Sequence, residues 1–354
     1  MQKFNTVERV TVGMDISDRS CHVVALGKED GEVVWENQVA TRGAALQKCF
    51  SQIPSSRIAL EAGPHSGWIS RLLSSLGHEV WVANARKLRL IYENKRKNDR
   101  VDAMYLARIG RVDPLLLSPI EHRSEQAQSD LGVLQARESL VRCRSRLINL
   151  CRSQVKIYGS RLPACSTASF HHQVQGHLPG QCQSALEPII DEIAGLTEKI
   201  RVFDRQVLRL CNEKYPQTAR LQQIRGVGQI TALAFVLVID DPLRFARSRD
   251  VGAYLGMCPG QRQSGDRDQQ LRITKEGNRY VRSLLVQCAH YILGHFGEDC
   301  DLRRKGESLI SRGGSGARKK AAVAVARKLA VLMHRLWVAD TLYDPFYQSH
   351  RQAA

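Results

Sequence analysis

The stretch RVTVGMD at residues 9–15 is rich in β-branched residues and ends on an acid. That is the pattern of a strand stopping at a sheet edge. A second apolar run, HVVAL, occupies 22–26, and Asp30-Gly31 marks a hairpin turn before EVVWENQV at 32–39. Three strands on short connections make an antiparallel meander. Helical periodicity then runs from Ala44 to Ile53 and closes at Pro54. RIALE at 57–61 is a fourth strand, again ending on an acid. A helix over 67–76 stops at Gly77, and EVWVA at 79–83 is a fifth strand. A helix is expected from Ala85 and another from about Asp99 to Gly110. The order βββαβαβα predicts an α/β domain, a mixed sheet with helices packed on it.

Beyond this the pattern changes. Leu131 to Val155 and Leu186 to Leu210 repeat apolar residues at helical spacing among many charges. They flank a Gly/Pro/Ser/His-rich loop at 160–183, which suggests a helical hairpin or coiled-coil arm. From Leu221 the chain reads as mainly α: an apolar helix at 230–239, a charged helix near Ser248, a polar loop around 258–266, and helices at about 277–294 and 316–338. The domain limits expected are 1–115, 116–215 and 216–340, with a loose tail at 341–354.

The chain has 354 residues, with 52 Lys and Arg against 35 Asp and Glu, a formal net charge of +17. Such an excess calls for a polyanionic partner, of which nucleic acid is the commonest. Residues 301–335 alone hold ten Lys or Arg against Asp301 and Glu307. The start carries no apolar leader and no long uncharged apolar run is present, so a cytoplasmic protein without a membrane is expected. The ten cysteines include no CxxC pair, which argues against a disulfide scaffold. Cys165, His171, His172, His177 and Cys182 offer zinc-ligand chemistry, but their spacing matches no zinc motif and the stretch reads as a solvated loop.

Asp15 and Glu61 end strands, and Asp99 and Asp102 lie three apart on one helix face. If the first and fourth strands are neighbours, four carboxylates converge at one sheet edge. Acids that close repel one another unless a cation is present, and hard oxygen ligands suit Mg²⁺ or Mn²⁺. Singly, each acid could equally cap a helix or turn a corner. Strongly basic sequence beside them, including Lys95, Arg96 and Lys97, could hold phosphates near a metal.

VGMDIS at 12–17, ALEAGPHSG at 59–67 and NDRVDAMYLARI at 98–109 resemble the first domain of the DEDD-type insertion-sequence transposases, the IS110 family with its IS1111 branch and the related Piv-type DNA invertases. The resemblance implies an RNase H-like, RuvC-like fold, with Asp15, Glu61, Asp99 and Asp102 as metal-binding catalytic acids. Two positions depart from the family's pattern: Asp18, where many relatives carry Lys, and the AGPHSG string after Glu61.

Ile224-Arg225-Gly226-Val227-Gly228 before an apolar helix resembles a helix-hairpin-helix element, in which glycines let backbone N–H groups approach a phosphate. In YLGMCPGQRQSGDRDQQLRITKEGNRYVRSLLVQCAH at 254–290, Arg262, Lys275, Arg279 and Arg282 could also reach a phosphate backbone. On bare chemistry Ser264 is an ordinary loop serine with no histidine base nearby in sequence. The segment from Pro259 to Gly265, together with Ile273 to Asn278, is similar to the C-terminal domain of the same transposases, and that similarity puts the catalytic serine on Ser264. It further implies a covalent protein–DNA intermediate, assembly as a homodimer or homotetramer, a structured noncoding guide (bridge) RNA, and residence in the bacterial cytoplasm at the nucleoid. Two other functions stay open: a junction-resolving metal nuclease that needs no serine, and a nucleic-acid-binding protein that cleaves nothing.

Overall fold

The computed structural model describes residues 10–27, 29–88, 98–264, 267–347 and 349–350, with the backbone alone for Ser264, Arg267, Asp268 and Gln270. The chain divides into two compact units, Met1–Arg123 and Ser124–Ala354.

The first unit is built on strands β1 (Thr11–Ile16), β2 (Ser20–Leu26), β3 (Val33–Ala40), β4 (Arg57–Glu61) and β5 (Glu79–Ala83). They form one sheet in the order β3-β2-β1-β4-β5. β1 pairs antiparallel with β2 and parallel with β4, which pairs parallel with β5. The five strands and the adjacency of the first and fourth agree with the sequence reading. Alternation along β1 splits the core in two. Val12 and Met14 pack on one face with Leu46 and Phe50 of α1 (Gly43–Phe50) and Ile69 and Leu73 of α2 (Ser66–Ser75). The other face lies under α3 (Asp99–Val112), whose Ala103 and Ala107 pack against Val24 and Leu26 while Leu106 meets Ala59 and Ala83. The helix expected from Ala85 starts as a turn over 85–87, and its expected continuation through 89–97 lies outside the described residues.

In the second unit α4 (Glu125–Ile157) and α6 (Gly180–Arg209) run antiparallel, Arg137 pairing with Asp204 and the buried Arg144 donating to Thr197. The segment between them differs from a solvated loop. It holds the one-turn α5 (Phe170–Gln173), and Phe170, Val174 and Cys182 are buried with Ile148, Cys151 and Ile190 of the two long helices. The cysteines there serve as small core residues.

After α7 (Gln217–Leu221), the helix α8 (Gln229–Ile239) is buried at every residue from Thr231 onward. A helix apolar on all sides must be a core element. It lies against α4, α6, α7 and α10 (Arg279–Ile292) and shares one core with α9 (Asp250–Tyr254), α11 (Asp301–Ser311) and α12 (Ala317–Ala339). Besides the short α7, a strand pair and a helix are absent from the sequence reading. The polar loop around 258–266 belongs to a hairpin, β6 (Pro259–Ser264) and β7 (Arg267–Ile273), and α11 sits where only a basic tract is legible. The segment after Asp340 is tied down: the Asp301 N–H donates to the Pro345 carbonyl and the Tyr343 N–H to Gln223. Among the described residues no helix is long and apolar enough to cross a membrane.

Candidate active site

The parallel register of β1 and β4 pairs Met14 with Leu60. The next residues, Asp15 and Glu61, therefore stand side by side just past the last β1–β4 pair, still within their strands. The helix carrying the other two acids is brought to the same edge by a close backbone approach. A Cβ on Gly13 would lie 1.9 Å from the Ala103 carbonyl oxygen and 2.4 Å from the Ala107 nitrogen. Only glycine leaves room for α3 to lie that close to β1. One turn before Ala103 the helix begins. Asn98 caps it by accepting from the Arg100 N–H, which places Asp99 and Asp102 in the first turn. Carboxylates there are favoured by the free N–H groups and the helix dipole. Asp102 is 5% exposed, whereas Asp99 is open to solvent.

These placements have an electrostatic result. Burial first, then the negative charges of Asp99, Asp102 and Glu61, push the Asp15 carboxyl up from 3.8 to about 6. The four acids chosen from sequence thus share one electrostatic environment. Among the described residues no three His, Cys, Asp or Glu side chains stand together at metal-holding spacing. By chemistry, an all-carboxylate set with one acid forced towards its neutral form fits a hard divalent cation, whose charge relieves the repulsion.

Two histidines join the site that sequence reasoning missed. His22 is the cross-strand partner of Asp15 on β2, and its Nδ1 lies 3.9 Å from Asp99 Oδ2. His65 lies at the start of α2, four residues after Glu61. Its Nδ1 accepts from Trp68 Nε1 at 3.2 Å, so its Nε2–H donates to Asp18 at 3.1 Å. Both departures from the family's pattern, Asp18 and the histidine of AGPHSG, are therefore the two ends of one contact. It ties the segment after Asp15 to the segment after Glu61. Register alone could have revealed His22; the one local mark on His65 is its place in the departing AGPHSG string.

Ser264 is the last residue of β6 and pairs with Arg267 across the hairpin. The base of the hairpin is clamped. Thr274 N–H donates to the Cys258 carbonyl and Lys275 N–H to that of Gly256, each at 3.0 Å. A Cβ on Gly256 would meet the Glu276 oxygen at 2.1 Å, so this crossing also requires glycine. Arg282 faces its own chain, its Nη1 donating to the carbonyls of Leu255 and Glu276. Arg262, Lys275 and Arg279 are exposed. Arg225 pairs with Glu298 at 3.2 Å. Gly226, at φ +91°, is needed for packing, since a Cβ there would meet the Tyr291 ring at 2.7 Å, while Gly228 faces open space. Lys95, Arg96 and Lys97 lie outside the described residues.

Comparison with known proteins covers both halves of this arrangement. Residues 12–159 match a DEDD-type IS110 family described as transposase, and residues 218–300 match the transposase IS116/IS110/IS902 family. The chain is 28% identical over 321 residues to the transposase for insertion sequence element IS1111A of Coxiella burnetii, covering 87% of this chain and 86% of that protein. It is 25% identical over 342 residues to a Pseudomonas aeruginosa protein named "Probable family 20 transposase", covering 94% and 98%. It is 25% identical over 287 residues to the transposase for insertion sequence element IS1328 of Yersinia enterocolitica, covering 78% and 82%. The chain belongs to the IS110 family of insertion-sequence transposases, enzymes that act on DNA.

Proposed function

We propose that the chain cuts and rejoins DNA strands with the four acids of the first unit and Ser264 of the second. The observation that carries this is the crowding of Asp15 by Asp99, Asp102 and Glu61, which leaves a site short of positive charge. The strand order, with β1 antiparallel to β2 and parallel to β4, supports an RNase H-like, RuvC-like fold for residues 1–115. Asp15, Glu61, Asp99 and Asp102 would hold Mg²⁺ or Mn²⁺. When bound, such an ion offsets the charge that gathers on the attacked phosphate and the leaving oxygen.

Ser264 Oγ forms a bond to the scissile phosphorus as the bond from phosphorus to the leaving strand's sugar oxygen breaks. The serine gives up its proton, and the leaving oxygen departs as a hydroxyl. The result is a covalent protein–DNA ester. Reversal of the step with a different strand's hydroxyl rejoins the DNA and frees the serine. Asp18 and His65 would hold the segments after Asp15 and Glu61 in register. Exposed Arg262, Lys275 and Arg279 flank the hairpin and would contact phosphates, as would Arg225, Gly226 and Gly228 at the turn before α8 and the Lys95 to Lys97 run. The α4–α6 pair within 116–215 would join copies into a homodimer or homotetramer, and residues 216–340 form the serine domain. A structured guide RNA would direct target choice by base pairing, while the protein reads backbone and shape.

The test is cleavage of supercoiled DNA bearing the element's ends, with Mg²⁺ and the RNA transcribed from the flanking noncoding region. Products are run on denaturing gels with and without protease. A DNA species released only by protease, and missing in Ser264→Ala, is the expected result. Cleavage that survives Ser264→Ala but not Asp15→Ala would leave the junction-resolving nuclease and remove the covalent step.

A further inference from the structure

The second unit contains an open cavity of about 440 Å³ lined by α12 and by the segment after Asp340. That volume is within the usual range for a small-ligand site, about 300–1,000 Å³. Arg327 and Lys328 from one turn of α12 and Arg335 from two turns further on line it, all half-buried. Among the described residues none of the three has a carboxylate within ion-pair distance. The two acids of the lining are already engaged: Asp301 accepts from the Ser349 hydroxyl, and Asp344 accepts from the Phe346 N–H and faces His350 Nδ1 at 3.2 Å. Burial, with Lys305 and Arg327 nearby, holds the Lys328 ammonium below its ordinary value despite the weaker pull of Asp301. Half-buried cations without partners are costly unless an anion is supplied.

The rest of the lining adds one exposed cation, Arg249, and otherwise mainly apolar and aromatic groups, among them Val331 and Leu332 of α12 and Tyr343 and Tyr347 of the segment after Asp340. Arg335 lies over the Tyr347 ring at 4.0 Å, a guanidinium–ring stack of the kind that accepts a further planar group. Cations and flat rings lining one cavity match a phosphate joined to a base. In a duplex the base is paired and stacked inside, so only an unpaired nucleotide presents both parts.

We propose that this cavity receives one unpaired nucleotide of a single-stranded polynucleotide, its phosphate on Arg327, Lys328 and Arg335 and its base alongside Leu332, Tyr343 and Tyr347. The inference rests on the recombinase reading for its supply of unpaired strands, and adds to it a single-strand site separate from Ser264.

The test measures binding of the full chain to a labelled oligothymidylate, an oligouridylate and a blunt duplex by fluorescence anisotropy. Lys328→Gln and Tyr347→Ala should each weaken single-strand binding about tenfold, the scale of one lost stacking or phosphate contact. Duplex binding and the melting temperature should stay unchanged, as should all three affinities in the exposed-site control Lys48→Ala on α1. Stronger loss on oligothymidylate identifies a DNA strand as the occupant, and stronger loss on oligouridylate an RNA strand; either upholds the site. An oligonucleotide with 2-aminopurine gives a second readout, a change in base fluorescence on binding that Tyr347→Leu abolishes. Equal losses on duplex and single strand, or none on either, overturn the proposal. A parent protein that cuts element ends yet binds no single strand overturns this site alone. Selective single-strand binding without any cutting overturns the recombinase reading alone.

Discussion

Replacing Asp15 by Asn removes one charge from a crowded set and should make the first unit more stable at neutral pH. The Asp15 carboxyl is pushed from 3.8 to about 6. A shift of that size corresponds to about 3 kcal/mol at most. Asp15 is only half-buried, and solvent screening reduces the figure to about 1–2 kcal/mol. The sign depends on which state ionises first. Below pH 3.8 both folded and unfolded chains carry the proton, and stability from this group is fully present. As pH rises from 3.8 to about 6 the unfolded chain ionises first, and stability is lost. Thermal melts of the parent and Asp15→Asn proteins at pH 4 and pH 7 measure the difference. At pH 7 the variant's first unit should melt about 4–8 °C higher, and at pH 4 the two should coincide. Added Mg²⁺ should raise the parent's transition at pH 7 and leave that of the variant nearly unmoved. A variant that melts below the parent at pH 7, with a difference independent of pH, would refute the reasoning.

Gly13→Ala drives a methyl into the α3 backbone, and urea denaturation should show the first unit destabilised by about 3 kcal/mol. His65→Ala cuts the Asp18–His65–Trp68 chain and should cost about 1–2 kcal/mol in the same measurement, with His65→Gln recovering part of it. Phe235→Ala opens a cavity in the middle of α8, where the ring is fully buried, and should cost about 3–5 kcal/mol in the second unit's transition.

The sheet was legible because its strands are short runs rich in β-branched and apolar residues set between turn and helix signals. The four acids were legible for the same reason, since strand ends and an i, i+3 helical pair are local patterns. His22 and His65 were not, because their importance comes from register and from a contact across 47 residues. The β6–β7 hairpin escaped notice because PGQRQS and RDQQLRI carry polar side chains on both faces, leaving no period of two to detect. α11 was hidden by its charge: DLRRKGESLIS buries little beyond Leu302 and Gly306. Segment 160–183 misled through its Gly and Pro content, while Phe170 and Val174 supply a small core that composition does not advertise.

The missing side chain at position 13 also has a mechanical meaning. Helix and strand touch there through main-chain atoms, without compressible side chains between them. Whatever displaces the start of α3 must displace β1 with it, so three of the four carboxylates travel as one rigid piece, with only Glu61 carried on a separate strand. Adjustment of this edge to a substrate is thereby confined to side-chain rotation and to the β1–β4 seam. The distance between the two helical acids and Asp15 is set when the domain folds, before any DNA arrives.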